Sequence, residues 1–152
     1  MACLLIIAHA PMASTLKQVA AHTFADAAER MRVFDVPPDM APEDIEAHLR
    51  TLLPGEDEVD PEALMLIDVF GATPANVAQR LVDGLRIRAV AGVNVAMLWR
   101  TLGSPVGLAL NELFDRAMKG GVQGVLPVAS TRPQNQAFTP GGHDPNQHHH
   151  QQ

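Results

Sequence analysis

Short apolar runs alternate with longer stretches of helical spacing along most of this chain, and that alternation restricts it to an α/β fold. The first run is Cys3-Leu4-Leu5-Ile6-Ile7-Ala8. From Ala13 to Met31, Leu16, Val19, Ala20, Phe24 and Ala27 recur at steps of three and four, which predicts a helix. Met31 to Val36 reads as a second strand, closed by Pro37-Pro38, which neither a helix nor a central strand accommodates. Ala41-Pro42-Glu43-Asp44 marks a helix start, with proline in the first turn and carboxylates near the positive end of the dipole. That helix runs through Ile45, Leu49, Leu52 and Leu53 to Pro54-Gly55, ahead of a charged loop from Glu56 to Pro61.

Ala63 to Val69 is apolar almost throughout, as expected of a parallel strand covered on both faces. Thr73-Pro74 reads as N-cap and first helical residue of a segment that continues through Val77, Leu81 and Val82 to Gly84. Ile87 to Val93 is a fourth strand. Helices are expected over Asn94–Leu102 and Pro105–Met118, then a break at Gly120-Gly121 and a fifth strand over Val122–Val128. The order predicts an open, doubly wound, mostly parallel sheet of four to five strands with helices on both faces. The last strand is expected to run antiparallel at the edge.

A chain of 152 residues, 47% of them hydrophobic, suits one folded domain, expected over residues 1–129. Residues 130–152 shift to Pro, Gln, Asn, Gly and His and cannot bury enough surface to offset ordering entropy, so a disordered tail is expected. His148-His149-His150 reads as part of that solvated tail in preference to a weak metal site. No apolar run approaches the roughly 20 residues that span a bilayer. The apolar start lacks the basic flank and cleavage site of a signal peptide. Net charge is −6 with no Lys/Arg cluster, and tyrosine is absent, which argues against nucleic acid and anionic membrane as partners. The single cysteine, Cys3, reads as a small buried hydrophobe in a reducing cytoplasm.

Chemistry in open α/β sheets gathers beyond the carboxyl ends of the strands. The first strand delivers Ala8-His9-Ala10-Pro11, the third Asp68-Val69-Phe70-Gly71-Ala72-Thr73-Pro74, and the fourth Ala91-Gly92-Val93-Asn94. Singly, His9 and Asp68 are ordinary loop residues, and His22 and His48 read as solvated helix positions. Together, a carboxylate on one ring nitrogen would fix the tautomer of His9 and leave the other nitrogen as a nucleophile. Gly71, Ala72 and Thr73 at a helix start would hold phosphate oxygens. No metal-ligand spacing, no G-x-G-x-x-G, no Walker lysine and no G-x-S-x-G elbow is present, so no metal or nucleotide cofactor is implied. Cys3 lies inside its strand, which argues against a cysteine phosphatase.

His9 after an apolar strand, Asp68 to Asn76, and Ala91-Gly92-Val93-Asn94-Val95-Ala96-Met97-Leu98 resemble the IIA components of the mannose family of bacterial sugar phosphotransferase systems. That family typically has D-x-x-G-G-[ST]-P-x-N and G-V-N-x-P-M-L stretches, and the resemblance covers residues 3 to 128. It implies that His9 takes phosphate from the phosphocarrier HPr and passes it to a IIB partner. It also implies that Asp68 orients the ring, that Gly71 and Thr73 line the phosphoryl site, and that Asn94 stands beside the pocket. Asn94 reads equally well as a structural turn residue. Family members resemble homodimers in which a late strand crosses to the partner's sheet, here Val122 to Val128. Ala72 departs from the second glycine of the first stretch and Ala96 from the proline of the second. The same site would also serve a regulatory protein whose His9 phosphorylation selects its targets. A unit serving dihydroxyacetone phosphorylation fits less well, because Gly71-Ala72-Thr73-Pro74 follows the mannose version.

Overall fold

The computed structural model of the chain describes residues 2–55 and 57–128. Four strands, β1 (Cys3–His9), β2 (Arg32–Val36), β3 (Ala63–Ile67) and β4 (Ile87–Ala91), form one sheet in the order β2-β1-β3-β4. Every neighbouring pair is parallel. The helices are α1 (Met12–Ala21), α2 (Ala25–Glu29), α3 (Pro42–Leu52), α4 (Thr73–Gln79), α5 (Val95–Leu102) and α6 (Leu110–Gln123). Side chains alternate between the two faces. Ile6, Ala8, Leu64 and Leu66 pack toward α1, α5 and α6, whereas Leu5, Ile7, Met65 and Ile67 pack toward α3 and α4. All five residues of β3 are buried, which is why this strand carries no alternation in its sequence. Each large side chain in it contributes about 2 kcal/mol relative to exposure.

The doubly wound parallel sheet with helices on both faces is therefore present, in its four-stranded form. Several elements differ from the sequence expectation. The long helix expected over Ala13 to Met31 is two helices, turned at His22–Phe24, where Phe24 meets Trp99 edge-on with ring centroids 5.7 Å apart. Residues 103–109 are not helical: Gly107 takes a φ of +84°, which ends any helix begun at Pro105, and α6 starts at Leu110.

The largest difference lies at Gly120-Gly121, which does not break the last helix. Both glycines are inside α6, and residues 125–128 form no strand. A Cβ on Gly120 would stand 2.6 Å from Cβ of Arg100, and one on Gly121 2.7 Å from Cε of Met97. One on Gly124 would stand 2.1 Å from Cβ of Ala96. These glycines let α6 lie against α5, so a signal that reads as a stop in sequence is a packing signal in three dimensions. Gly120→Val should therefore destabilise the domain by about 1–3 kcal/mol, through overpacking against the fixed Arg100 Cβ. Urea unfolding reads this out, and an unchanged midpoint would show that the helices separate freely. The tail expected over 130–152, with its three histidines, lies outside the described residues.

Candidate functional site

Where a parallel sheet winds first to one side and then to the other, the carboxyl ends of the two strands at the reversal flank a crevice. The order β2-β1-β3-β4 puts that reversal between β1 and β3. His9 is the last residue of β1, and Asp68 immediately follows β3. The register pairs Ile7 with Ile67, so Asp68 stands level with Ala8, one residue from His9. Topology alone thus brings together two groups separated by 59 positions.

The contact is close. Asp68 Oδ2 accepts from the backbone N–H of His9 at 2.9 Å and lies 2.6 Å from the ring Nδ1. Its second oxygen, Oδ1, accepts from the N–H of Val69 at 2.7 Å. The His9 side chain is 52% exposed and the Asp68 side chain 8%. Burial pushes the Asp68 carboxyl up, but the hydrogen bonds from the His9 backbone, the His9 ring and Val69 outweigh it and hold the group below its ordinary value. An ionised carboxylate only accepts, so Nδ1 carries the ring proton and the lone pair of a neutral imidazole resides on Nε2. His9 pairs with Val36, which packs with Ile7 in the core under α3 and α4, so strand alternation directs the imidazole to the α4 side.

The turn between Asp68 and α4 includes Gly71 at φ +86°, a conformation that glycine adopts without strain. Asn76 Nδ2 donates to the Gly71 carbonyl at 3.1 Å and fixes the turn. Ala72 has φ −80°, so the departure from a second glycine is accommodated without strain. The N-cap of α4 is Ala72, not Thr73; Thr73 is the first helical residue, exposed, with Pro74 behind it. Asn94 is occupied structurally: its Oδ1 accepts from the N–H of Met97 at 2.9 Å, capping α5, and its Nδ2 donates to the Gly121 carbonyl at 3.2 Å. Helix α5 still starts at Val95 despite alanine at position 96.

Sequence reasoning missed Asp35. From β2 its Oδ1 accepts from the N–H groups of Ala13 at 2.7 Å and Ser14 at 3.1 Å, the first turn of α1. The available signal was a lone acid inside the apolar run Val33-Phe34-Asp35-Val36. Between His9 and α1, the Ala10–Pro11 peptide is cis. His22 ends α1 and His48 lies on α3 against the ring of Phe34, and both are exposed. Cys3 is half-buried, and burial pushes its thiol up from the ordinary value. Among the described residues, no cluster of His, Cys, Asp and Glu has the arrangement of a metal site. Among them, too, no helix is long and apolar enough to cross a membrane.

An open parallel sheet with a half-exposed imidazole held against a carboxylate at the reversal of strand order defines an α/β domain with a His–Asp pair at its strand-end crevice. The family model described as PTS system fructose IIA component (EIIA-man) matches residues 3–118, and the chain belongs to that family. It is a mannose-type IIA component of a sugar phosphotransferase system, and so has a part in phosphoryl transfer. Among solved structures the fold is similar to the mannose/sorbose-specific IIA subunit from Enterococcus faecalis, with a TM-score of 0.74 and 23% identity over 88% of this chain and 98% of that one. It is also similar to a phosphotransferase component EIIA from Streptococcus agalactiae (TM-score 0.71, 22% identity, 84% and 97% covered). A IIA protein associated with the fucose utilization operon of Streptococcus pneumoniae has a TM-score of 0.64 at 21% identity, with 84% and 96% covered. No curated protein matches the chain.

Proposed function

We propose that His9 accepts a phosphoryl group on Nε2 from the phosphocarrier HPr and passes it to a IIB component. The observation that carries this reading is the 2.6 Å contact between Nδ1 and Asp68, which leaves Nε2 as the free nitrogen of a half-exposed ring. The Nε2 lone pair attacks the phosphorus of the donor's phosphohistidine in line. The new N–P bond forms as the donor's N–P bond breaks, and the donor ring leaves with that electron pair. The imidazole of His9 then carries positive charge, which the Asp68 carboxylate stabilises through Nδ1–H. Gly71, Ala72 and Thr73 are assigned to the phosphoryl oxygens, since they stand on the α4 side to which the ring is directed and Thr73 adds a hydroxyl donor. Transfer to IIB reverses the step on a second partner. The sugars in the names of the relatives differ, so none is assigned to this chain.

Both partners are proteins, and the surface beside the imidazole suits protein contact. Phe70 is 82% exposed and Val69 51%, on the loop that follows Asp68. A bare aromatic next to a nucleophile supplies the kind of anchor that dominates protein interfaces. The deciding experiment is intact-mass measurement after incubation with enzyme I, HPr and phosphoenolpyruvate. One acid-labile phosphoryl group is the expected gain; no gain, with HPr itself shown to be phosphorylated, overturns the assignment.

We further assign the chain to a homodimer. Val125, Leu126 and Val128 are exposed, and β4 lies at an edge of the sheet. A second copy satisfies both features by adding this segment to the edge of β4. Sedimentation should report a dimer, and truncation after Gly124 should give a folded monomer. A truncated protein that remains dimeric would place the interface elsewhere.

A further inference from the structure

Asp35 performs no step in the transfer just described, yet it is tied to the segment that presents His9. We propose that Asp35 is a positioning residue for phosphoryl transfer, holding the start of α1 so that the turn after β1 keeps the imidazole against Asp68. The proposal rests on the assignment of His9 as the phosphoryl acceptor.

The two strands that flank β1 each send one carboxylate to this turn. From β3, Asp68 takes its upstream end through the His9 N–H and ring. From β2, Asp35 takes its downstream end through the Ala13 and Ser14 N–H groups, at 2.7 and 3.1 Å. The residues between are held as well. The Ala10 N–H donates to the Val36 carbonyl at 3.0 Å, and the Pro11 carbonyl accepts from Thr15 Oγ1 at 2.7 Å. Asp35 stands level with Ala8 in the strand register, one residue short of His9. Ala13 is fully buried and anchors the same turn from below.

Two consequences bear on the chemistry. The donors at the start of α1 that Asp35 engages are withheld from a phosphoryl group on His9, leaving its oxygens to the α4 side. The turn also has little freedom to swing the ring away from Asp68. Near-attack geometry is sensitive to displacements of an ångström, so loosening this anchor should reduce the rate of transfer while leaving the docking surface at Val69 and Phe70 unaltered.

The test compares Asp35→Ala with Asp35→Asn, whose carbonyl oxygen accepts the same two N–H groups from the same place. For Asp35→Ala, the maximal acceptance rate at saturating phospho-HPr should fall about tenfold, with the half-saturating donor concentration little changed. The ¹⁵N signals of the His9 ring, read before any phosphorylation, should move toward the tautomer mixture of a free imidazole. Asp35→Asn should restore both readouts to near wild type. If Asp35→Ala fails to fold, Asp35→Glu takes its place: it keeps an anion at the helix start but displaces the acceptor by one methylene, and the same losses are expected. Wild-type rate and ring signals in the displaced variant overturn the proposal. So does a loss confined to donor affinity, or an Asp35→Asn protein as impaired as Asp35→Ala. A wild type that takes no phosphoryl group defeats the His9 assignment instead, and the ring signals then decide Asp35 on their own.

Discussion

His9→Ala should give a folded protein that takes up no phosphoryl group at all. On the proposed mechanism the loss is complete, because the bond forms to Nε2 and, among the described residues, no neighbouring side chain offers an equivalent nucleophile. His22 ends α1 and His48 lies on α3, so neither stands at the carboxyl ends of β1 and β3 beside a buried carboxylate. The fold should survive because the His9 ring is half-exposed, and the backbone N–H that binds Asp68 persists in alanine. Asp68 also keeps its bond from Val69. The stability cost is then about 1.5–3 kcal/mol, the worth of one hydrogen bond to a charged acceptor. Intact mass and urea unfolding on the same preparation separate the two effects. Phosphoryl uptake by the variant would move the acceptor to another residue, and a variant that does not fold would leave the chemical role to be tested by a conservative replacement.

The sheet was legible in this sequence because its strands are nearly all apolar. Leu64, Met65 and Leu66 face opposite sides, both covered, and a run of that kind has few alternatives. His9 and Asp68 were legible for a related reason: each follows such a run directly, and parallel neighbours align their ends. What was not legible depends on contacts between distant segments. The glycines at 120 and 121 look like a stop until Arg100 and Met97 are seen pressed against them. Asp35 looks like an isolated polar residue until α1 is placed over β2, where its carboxylate meets two amide donors. The turn at His22–Phe24 answers to Trp99, some 75 positions on, whose ring Phe24 meets. Asn94 showed its place but not its partners, since the amide is shared between the start of α5 and the carbonyl of Gly121. Local pattern carried the four strands and most of the helical segments, while long-range packing set the ends and caps and removed the expected fifth strand.

Asp68→Asn should leave the acceptor nitrogen in place and slow phosphoryl acceptance by roughly 10²-fold. The carboxamide keeps one accepting oxygen, so some bonding to the His9 segment survives, but the negative charge opposite Nδ1–H is lost. Without it the ring is no longer held in a single tautomer, and the charge that develops on phosphorylation lacks its counter-ion. Stability supplies a second, independent readout. Because the folded carboxyl of Asp68 lies below its ordinary value of 3.8, its contribution is fully present above that value and is lost as pH falls through the folded one. The stability gap between wild type and Asp68→Asn should therefore be open near neutral pH and narrow as the solution is acidified below about pH 4. Urea midpoints across that range measure it. A gap that widens in acid would mean that the carboxyl is destabilised by its surroundings, contrary to the bonds it accepts from His9 and Val69. An unchanged acceptance rate, with the gap closing as expected, would leave Asp68 as a structural tie between β1 and β3 and remove it from the chemistry.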